Sequence, residues 1–128
     1  MKARPRSAQG SAAPGRAWGL ATQLYSVRSK NSWGIGDLSD LADLAVWAGA
    51  RHGAGYVLVN PLHAAAPTKP MEPSPYLPTS RRFTNPLYLR VEDVPELARL
   101  DHTAHRKALS LAAGARALNA LDRIDRDA

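Results

Sequence analysis

The chain has 128 residues, 45% of them hydrophobic, enough for one small globular domain, and no apolar run approaches the roughly 18 residues that a membrane-spanning helix needs. Cysteine is absent, which excludes disulfide staples, thiol catalysis and thiolate-held metals. The formal charge of +6 sits at one end, because residues 1–30 carry six basic and no acidic side chains while residues 31–128 carry 11 of each.

That basic start, MKARPRSAQGSAAPGR (residues 1–16), is compatible with an arm for nucleic acid or an anionic surface, or with an organelle transit peptide. It has almost no hydrophobic bulk and no apolar stripe, so it reads best as a solvated, disordered leader with neither a nucleic-acid nor a membrane partner. Order is expected from about Trp18, where WGLATQLYSV has the β-branched and aromatic content of a strand. A polar loop with two glycines, RSKNSWGIGD, leads to Asp37, the expected N-cap of a helix. Leu38, Leu41, Ala45 and Ala48 share one face of that helix, Leu44 and Trp47 widen it, and Gly53 supplies the stop. Asp37, Asp40 and Asp43 recur every third residue, which allows a metal or acid/base cluster but fits better a solvated face favoured by the helix macrodipole.

YVLVN (56–60) has the continuous apolar character of a strand buried on both faces, so strand, helix and strand make a βαβ unit and imply a parallel sheet. The segment EPSPYLPTSRRFTNPLY (72–88) lacks a helical or strand period; its four prolines stiffen the backbone and its aromatics give it mass to anchor, as in a ligand wall. LYLRV (87–91) reads as another short strand or extended segment, and residues 104–121 as a helix weakened by Gly114. Asp125 resembles the N-cap of a further helix just before the sequence ends. Two or three strands with two helices cannot cover a parallel sheet on both faces, so an incomplete domain with exposed apolar surface is expected.

In parallel α/β folds ligands bind at the carboxyl ends of the strands. That edge gathers Tyr25, Ser26 and Arg28 after the first strand, Asn60 and His63 after the second, and the proline-rich segment. Both long loops, 28–37 and 61–86, are expected to wall one cleft. Tyr76 is suited to stacking on a sugar ring or to plugging its own loop, and His63 to a polar cleft position, a general base or a structural role. Arg81 and Arg82 suit anion binding or internal ties, and Trp33 a sugar platform or a helix cap. The sequence has no nucleophile elbow, phosphate loop or dinucleotide fingerprint.

Three stretches, QLYSVRSKNSWGIGDLSDL (23–41), NPLHA (60–64) and SPYLPTSRRFTNPLYLRVE (74–92), together resemble the bacterial 4-α-glucanotransferases called amylomaltases, in the same order and over roughly residues 16–128. The resemblance implies an α/β fold in which residues 17–128 are the opening βα units of a (β/α)8 TIM barrel, incomplete in this chain. It implies a cytoplasmic, cofactor-free, retaining transglycosylase acting on maltodextrin or other α-1,4-glucans. In that family an aspartate nucleophile, a glutamate acid/base and a second aspartate come from later strands, so no catalytic residue is assigned here and the 128-residue chain alone is expected to be inactive. What carries over is binding: Tyr76 matches the tyrosine of the SPY motif that lies against the sugar beside the scissile bond, and Ser74 matches its neighbouring serine. Asn60 and His63 match motif positions at the cleft edge. The alternative reading, from another class, is a non-catalytic α-glucan-binding or interaction fragment that uses the same loop.

Overall fold

The computed structural model describes residues 15–128; the expected basic leader lies, up to residue 14, outside the described residues. A strand β1 (Gly19–Thr22), a helix α1 (Leu38–Val46) and a strand β2 (Tyr56–Val59) form the expected βαβ unit, with β1 and β2 parallel and Gly19 opposite Tyr56 through Thr22 opposite Val59. The strand expected to run through Val27 stops early. Leu24 donates its N–H not to a strand partner but to Asn60 Oδ1 at 2.6 Å, and Leu24–Ser26 coil into a 3₁₀ turn.

Helix α1 begins as expected at Asp37. The Asp37 carboxylate accepts the N–H groups of Ser39 (2.8 Å) and Asp40 (2.9 Å), while Asp40 Oδ2 accepts the Asp37 N–H (3.1 Å), a complete capping box. A π-helical turn, Trp47–Arg51, continues it, and Gly53 ends it at φ 68° with paired bonds from Gly53 N–H to Gly49 and from Ala54 N–H to Ala48, each one residue wider than in a Schellman motif because the last turn is π-helical. The buried face is rotated from the one expected. Asp37, Asp40 and Ala48 are buried with Leu41 and Leu44 partly covered, whereas Leu38 and Ala45 are exposed. Of the three aspartates read as a solvated face only Asp43 is exposed, because Asp37 and Asp40 meet a cation brought from 50 residues or more along the chain.

The small core joins Leu24, Ile35 and Tyr88, with Leu41, Val59, Leu62, Leu87 and Ile124 packed around them. Gly36 fits only as glycine, since a Cβ there would stand 2.1 Å from the Leu24 carbonyl oxygen and 2.3 Å from that of Val27. Gly34, at φ 76°, bends the same loop. β2 is not buried on both faces: Val59 packs on the core while Tyr56 and Leu58 stay exposed, as do Val46 and Trp47 of the crossover. The apolar surface expected to remain uncovered is therefore present.

Two elements depart from expectation after β2. Just after β2, β3 (His63–Ala64) pairs antiparallel with a strand contributed by the proline-rich segment, β4 (Ser80–Thr84), with a register shift between His63 and Ala64. Residues 87–91 form no strand. Asn85 Oδ1 accepts the Leu87 N–H at 3.1 Å and Pro86 fixes φ, so the chain turns through 3₁₀ segments at Pro86–Tyr88 and Val91–Asp93 and is extended only between them. Helix α2 (His102–Ala117) starts two residues before the expected helix because Asp101 caps it, accepting from Thr103 (2.8 Å) and Ala104 (2.9 Å). Asp125 caps no helix among the described residues; its carboxylate accepts the Asp127 N–H at 2.9 Å.

Candidate functional site

At the carboxyl ends of β1 and β2 a depression of about 350 Å³ is lined by Ala21, Thr22, Gln23, Leu58, Val59, Asn60, Pro61 and Tyr76. A second, of about 260 Å³, is lined by Pro61, His63, Pro75, Tyr76, Pro78 and Arg81. Tyr76 and Pro61 form the divide between them. The Tyr76 side chain stands 58% exposed, and its phenol oxygen accepts a hydrogen bond from Gln23 Nε2 at 3.3 Å. The ring is presented rather than tucked away.

Ser74 holds that presentation. Its Oγ accepts the Tyr76 N–H (3.3 Å), its carbonyl accepts the Leu77 N–H (3.3 Å), and its own N–H is held by Glu72 Oε1 (2.9 Å). Two prolines flank the tight turn so formed, which limits the backbone states from which Tyr76 must be recruited.

Asn60 is 4% exposed and uses both ends of its amide: Oδ1 accepts from Leu24 N–H, and Nδ2 donates to the Pro61 carbonyl (2.9 Å) and the Tyr88 hydroxyl (3.1 Å). It ties the end of β1, the end of β2 and the segment after Asn85 into one edge. His63 lies partly buried on β3, at the rim of the smaller depression. Thus the four residues singled out from the sequence gather at one edge, two on its surface around Tyr76 and Asn60 beneath.

The loop 28–37 does not wall this cleft; none of its residues lines either depression. It is drawn instead toward the end of α2. Asn119 Nδ2 donates to the carbonyls of Ser29 (3.1 Å) and Ser32 (2.7 Å), its Oδ1 accepts from Gly34 N–H (3.2 Å), and Arg28 reaches the Leu121 carbonyl (3.2 Å). Trp33 donates its indole N–H to Glu92 Oε1 at 3.1 Å and so acts within the fold, while Arg81 and Arg82 form no ion pair among the described residues.

The strongest electrostatic feature lies behind the edge. Arg90 forks onto Asp37, with Nε at 2.9 Å from Oδ2 and Nη2 at 3.0 Å from Oδ1, and reaches Asp40 Oδ1 at 2.8 Å. Ser32 Oγ donates to the other Asp40 oxygen at 2.6 Å. Burial opposes the Arg90 charge, but hydrogen bonds and attraction from the two carboxylates outweigh it and hold the guanidinium pKa above its ordinary value. Neither Arg90 nor Gln23 was singled out from sequence; Gln23 had a usable signal, its place where β1 ends, whereas nothing local marks Arg90 as the partner of Asp37.

A larger depression, of about 630 Å³, lies apart, between Met71, Pro73 and residues 121–127. It follows the packing of the last residues, with Asp127 accepting from the Met71 N–H at 2.9 Å, rather than the strand ends.

The fold is that of an α/β protein with an open aromatic edge at its strand ends. The family model described as 4-alpha-glucanotransferase matches residues 22–128, and the chain belongs to that family. It is 63% identical over 118 residues to a 4-alpha-glucanotransferase of Mycobacterium tuberculosis, covering 88% of this chain and 16% of that relative. A 4-alpha-glucanotransferase of Haemophilus influenzae is 50% identical over 84 residues, 66% of this chain and 12% of the relative. The crystal structure of amylomaltase from Corynebacterium glutamicum superposes with a TM-score of 0.73 at 50% identity, over 80% of this chain and 14% of that one. The chain spans about a sixth of the length of the mycobacterial relative.

Proposed function

We propose that residues 17–128 are the opening βα units of a (β/α)8 barrel and supply the sugar-binding wall of a 4-α-glucanotransferase. The whole enzyme would transfer segments of maltodextrin or another α-1,4-glucan to the 4-hydroxyl of an acceptor, in the cytoplasm and without a cofactor, nucleic-acid or membrane partner. The observation that carries this reading is Tyr76, presented between two depressions at the strand ends and held there by Gln23 and Ser74. An aromatic face in that place meets the C–H groups of a sugar and excludes water, His63 lines the smaller depression, Ser74 sets the turn that carries the ring, and Asn60 keeps the edge in register.

No carboxylate lines either depression. Retaining transfer needs a nucleophile and an acid/base carboxyl about 5–5.5 Å apart, so this portion binds and orients sugar while the covalent step belongs to carboxylates elsewhere in the enzyme. The same observation favours, as second reading, a chain that binds α-glucan on its own without turnover. A graft separates the two: residues 17–128 replace the matching segment of the Mycobacterium tuberculosis 4-alpha-glucanotransferase, and disproportionation of maltotriose is followed. An active graft supports the wall as part of the enzyme. A folded graft that binds maltotriose yet transfers nothing would sink the first reading and leave the second.

A further inference from the structure

Two arginines stand side by side on β4, and only one of them meets the sugar wall: Arg81 lines the smaller depression, whereas Arg82 lines neither. Other arginines of the fold are engaged with protein groups. Arg90 forks onto Asp37, Arg28 reaches the Leu121 carbonyl, and Arg126 reaches the Glu72 carbonyl and lies 5.4 Å from the centre of the Tyr25 ring. Arg81 has no ion pair among the described residues, and no carboxylate lines its depression.

Its mounting is firm. The Thr79 N–H donates to the Ala64 carbonyl (3.0 Å) and the Asn85 N–H to the Leu62 carbonyl (2.8 Å), so β4 is tied at both ends to the residues just after β2. Pro61, Pro75 and Pro78 wall the depression with Tyr76 and His63, and their fixed φ limits how far those walls rearrange. A guanidinium offers five N–H donors in a planar fork and no acceptor, so what it meets there must supply oxygens. An anion would need converging backbone N–H groups or a second cation. Three of the six lining residues are prolines, which lack that N–H, and Arg81 is the only permanent charge among the six. A neutral polyol fits better: its C–H faces pack on the proline rings and the phenol, and its adjacent hydroxyls accept from the fork.

We propose that the smaller depression is a second glucosyl subsite and that Arg81 reads the hydroxyls of the unit bound in it. Tyr76 and Pro61 line both depressions, so a glucan lying against the ring continues across that divide with one unit on each side. This rests on the reading of Tyr76 as part of the glucan wall. The fork holds hydroxyls that keep their bonds during transfer, so it grips the chain equally before and during the reaction and is expressed in KM rather than in kcat.

The test uses the active graft with Arg81→Ala, Arg81→Lys, Arg82→Ala and Tyr76→Ala, in steady-state disproportionation of maltoheptaose. Arg81→Ala raises KM about tenfold, the worth of a hydrogen bond to a charged group, and moves kcat by less than about twofold. Arg81→Lys, which keeps the charge without the fork, still raises KM about three- to fivefold. Arg82→Ala changes neither constant. An unchanged KM in an Arg81→Ala graft whose denaturant unfolding matches that of the unmodified graft overturns the proposal, and so does an equal rise in Arg82→Ala, the mark of a diffuse charge effect. Inorganic phosphate tests the ligand class: competitive inhibition that vanishes in Arg81→Ala would show an anion site and overturn the proposal. Unaltered kinetics in Tyr76→Ala instead overturn the underlying reading of the wall, so the two failures are distinguishable.

Discussion

Replacing Arg90 by alanine removes the only cation paired with Asp37 and Asp40 among the described residues, and the consequence can be sized from their surroundings. The side chains of Arg90, Asp37 and Asp40 are 10%, 5% and 2% exposed, so the two carboxylates cannot recover by hydration in place. Breaking a buried ion pair from one side costs about 3–5 kcal/mol. Here the low end applies, because Asp37 keeps the N–H groups of Ser39 and Asp40, and Asp40 keeps Ser32 Oγ and the Asp37 N–H. A loss of about 3 kcal/mol corresponds to roughly a hundredfold in a local equilibrium. Native-state hydrogen exchange on the graft reads it directly: in Arg90→Ala the amides of Ser39 and Asp40 lose about two orders of magnitude of protection. Arg90→Lys keeps the charge but not the fork and loses about one order. The pH dependence has a definite sign. The Arg90 pKa is raised in the folded state, so its contribution is fully present below the ordinary arginine value and is lost only as pH rises through the still higher folded one. Protection in the unmodified graft therefore holds throughout the accessible alkaline range, while Arg90→Lys loses more above about pH 10, where lysine begins to discharge. A fall of less than threefold for Arg90→Ala would refute this account of why α1 starts where it does.

In the active graft, Tyr76→Ala lowers the maltotriose transfer rate by about several-fold to tenfold, the worth of one stacking contact, and weakens overall glucan binding less, as steady-state kinetics will show. Asn60→Ala leaves the Leu24 N–H and the Tyr88 hydroxyl unpaired in the core edge and costs about 2–4 kcal/mol in denaturant unfolding of the graft; a shift below 1 kcal/mol would remove Asn60 from its role as a tie. The 128-residue chain by itself produces no glucose from maltotriose; turnover by the purified polypeptide would show a carboxylate pair that the depressions lack. The same chain binds a hydrophobic dye and aggregates through Tyr56, Leu58, Val46 and Trp47, whereas a sharp cooperative melt of a monomer would show that this face is covered.

What could be read from the sequence followed from local chemistry. Asp37 as a cap and Gly53 as a stop are decided by backbone groups within a few residues, and both stand where expected. The order of β1, α1 and β2 follows from period and composition, and their parallel pairing from the length of the crossover. The misses share another cause. β1 ends at Thr22 because a side chain from Asn60 intercepts Leu24, and residues 87–91 turn because Asn85 caps the Leu87 N–H. The buried face of α1 is rotated because Arg90, distant in sequence, makes burial of Asp37 and Asp40 favourable. For the site, the motif resemblance located Tyr76, Ser74, Asn60 and His63 together, but it could not separate the presented ring from the buried amide beneath it. That separation depends on which partners surround each side chain, and those partners arrive from other strands.

The Asn60 tie has a consequence for the order in which the wall can assemble. Its bond to Leu24 closes a separation of 36 residues, whereas the Gln23–Tyr76 and Asp37–Arg90 bonds each close 53. Loop closure is costly before its contacts form but grows only slowly with length, by about 0.6 kcal/mol per doubling. Once Asn60 has met Leu24, the arc left to bring Tyr76 to Gln23 is only the stretch from Pro61 onward, already shortened by the β3–β4 pairing. Tyr88, held by the same amide, brings Arg90 close to Asp37 in the same stroke. Assembly thus runs outward from one buried asparagine, whose contacts shorten the closure of both longer loops.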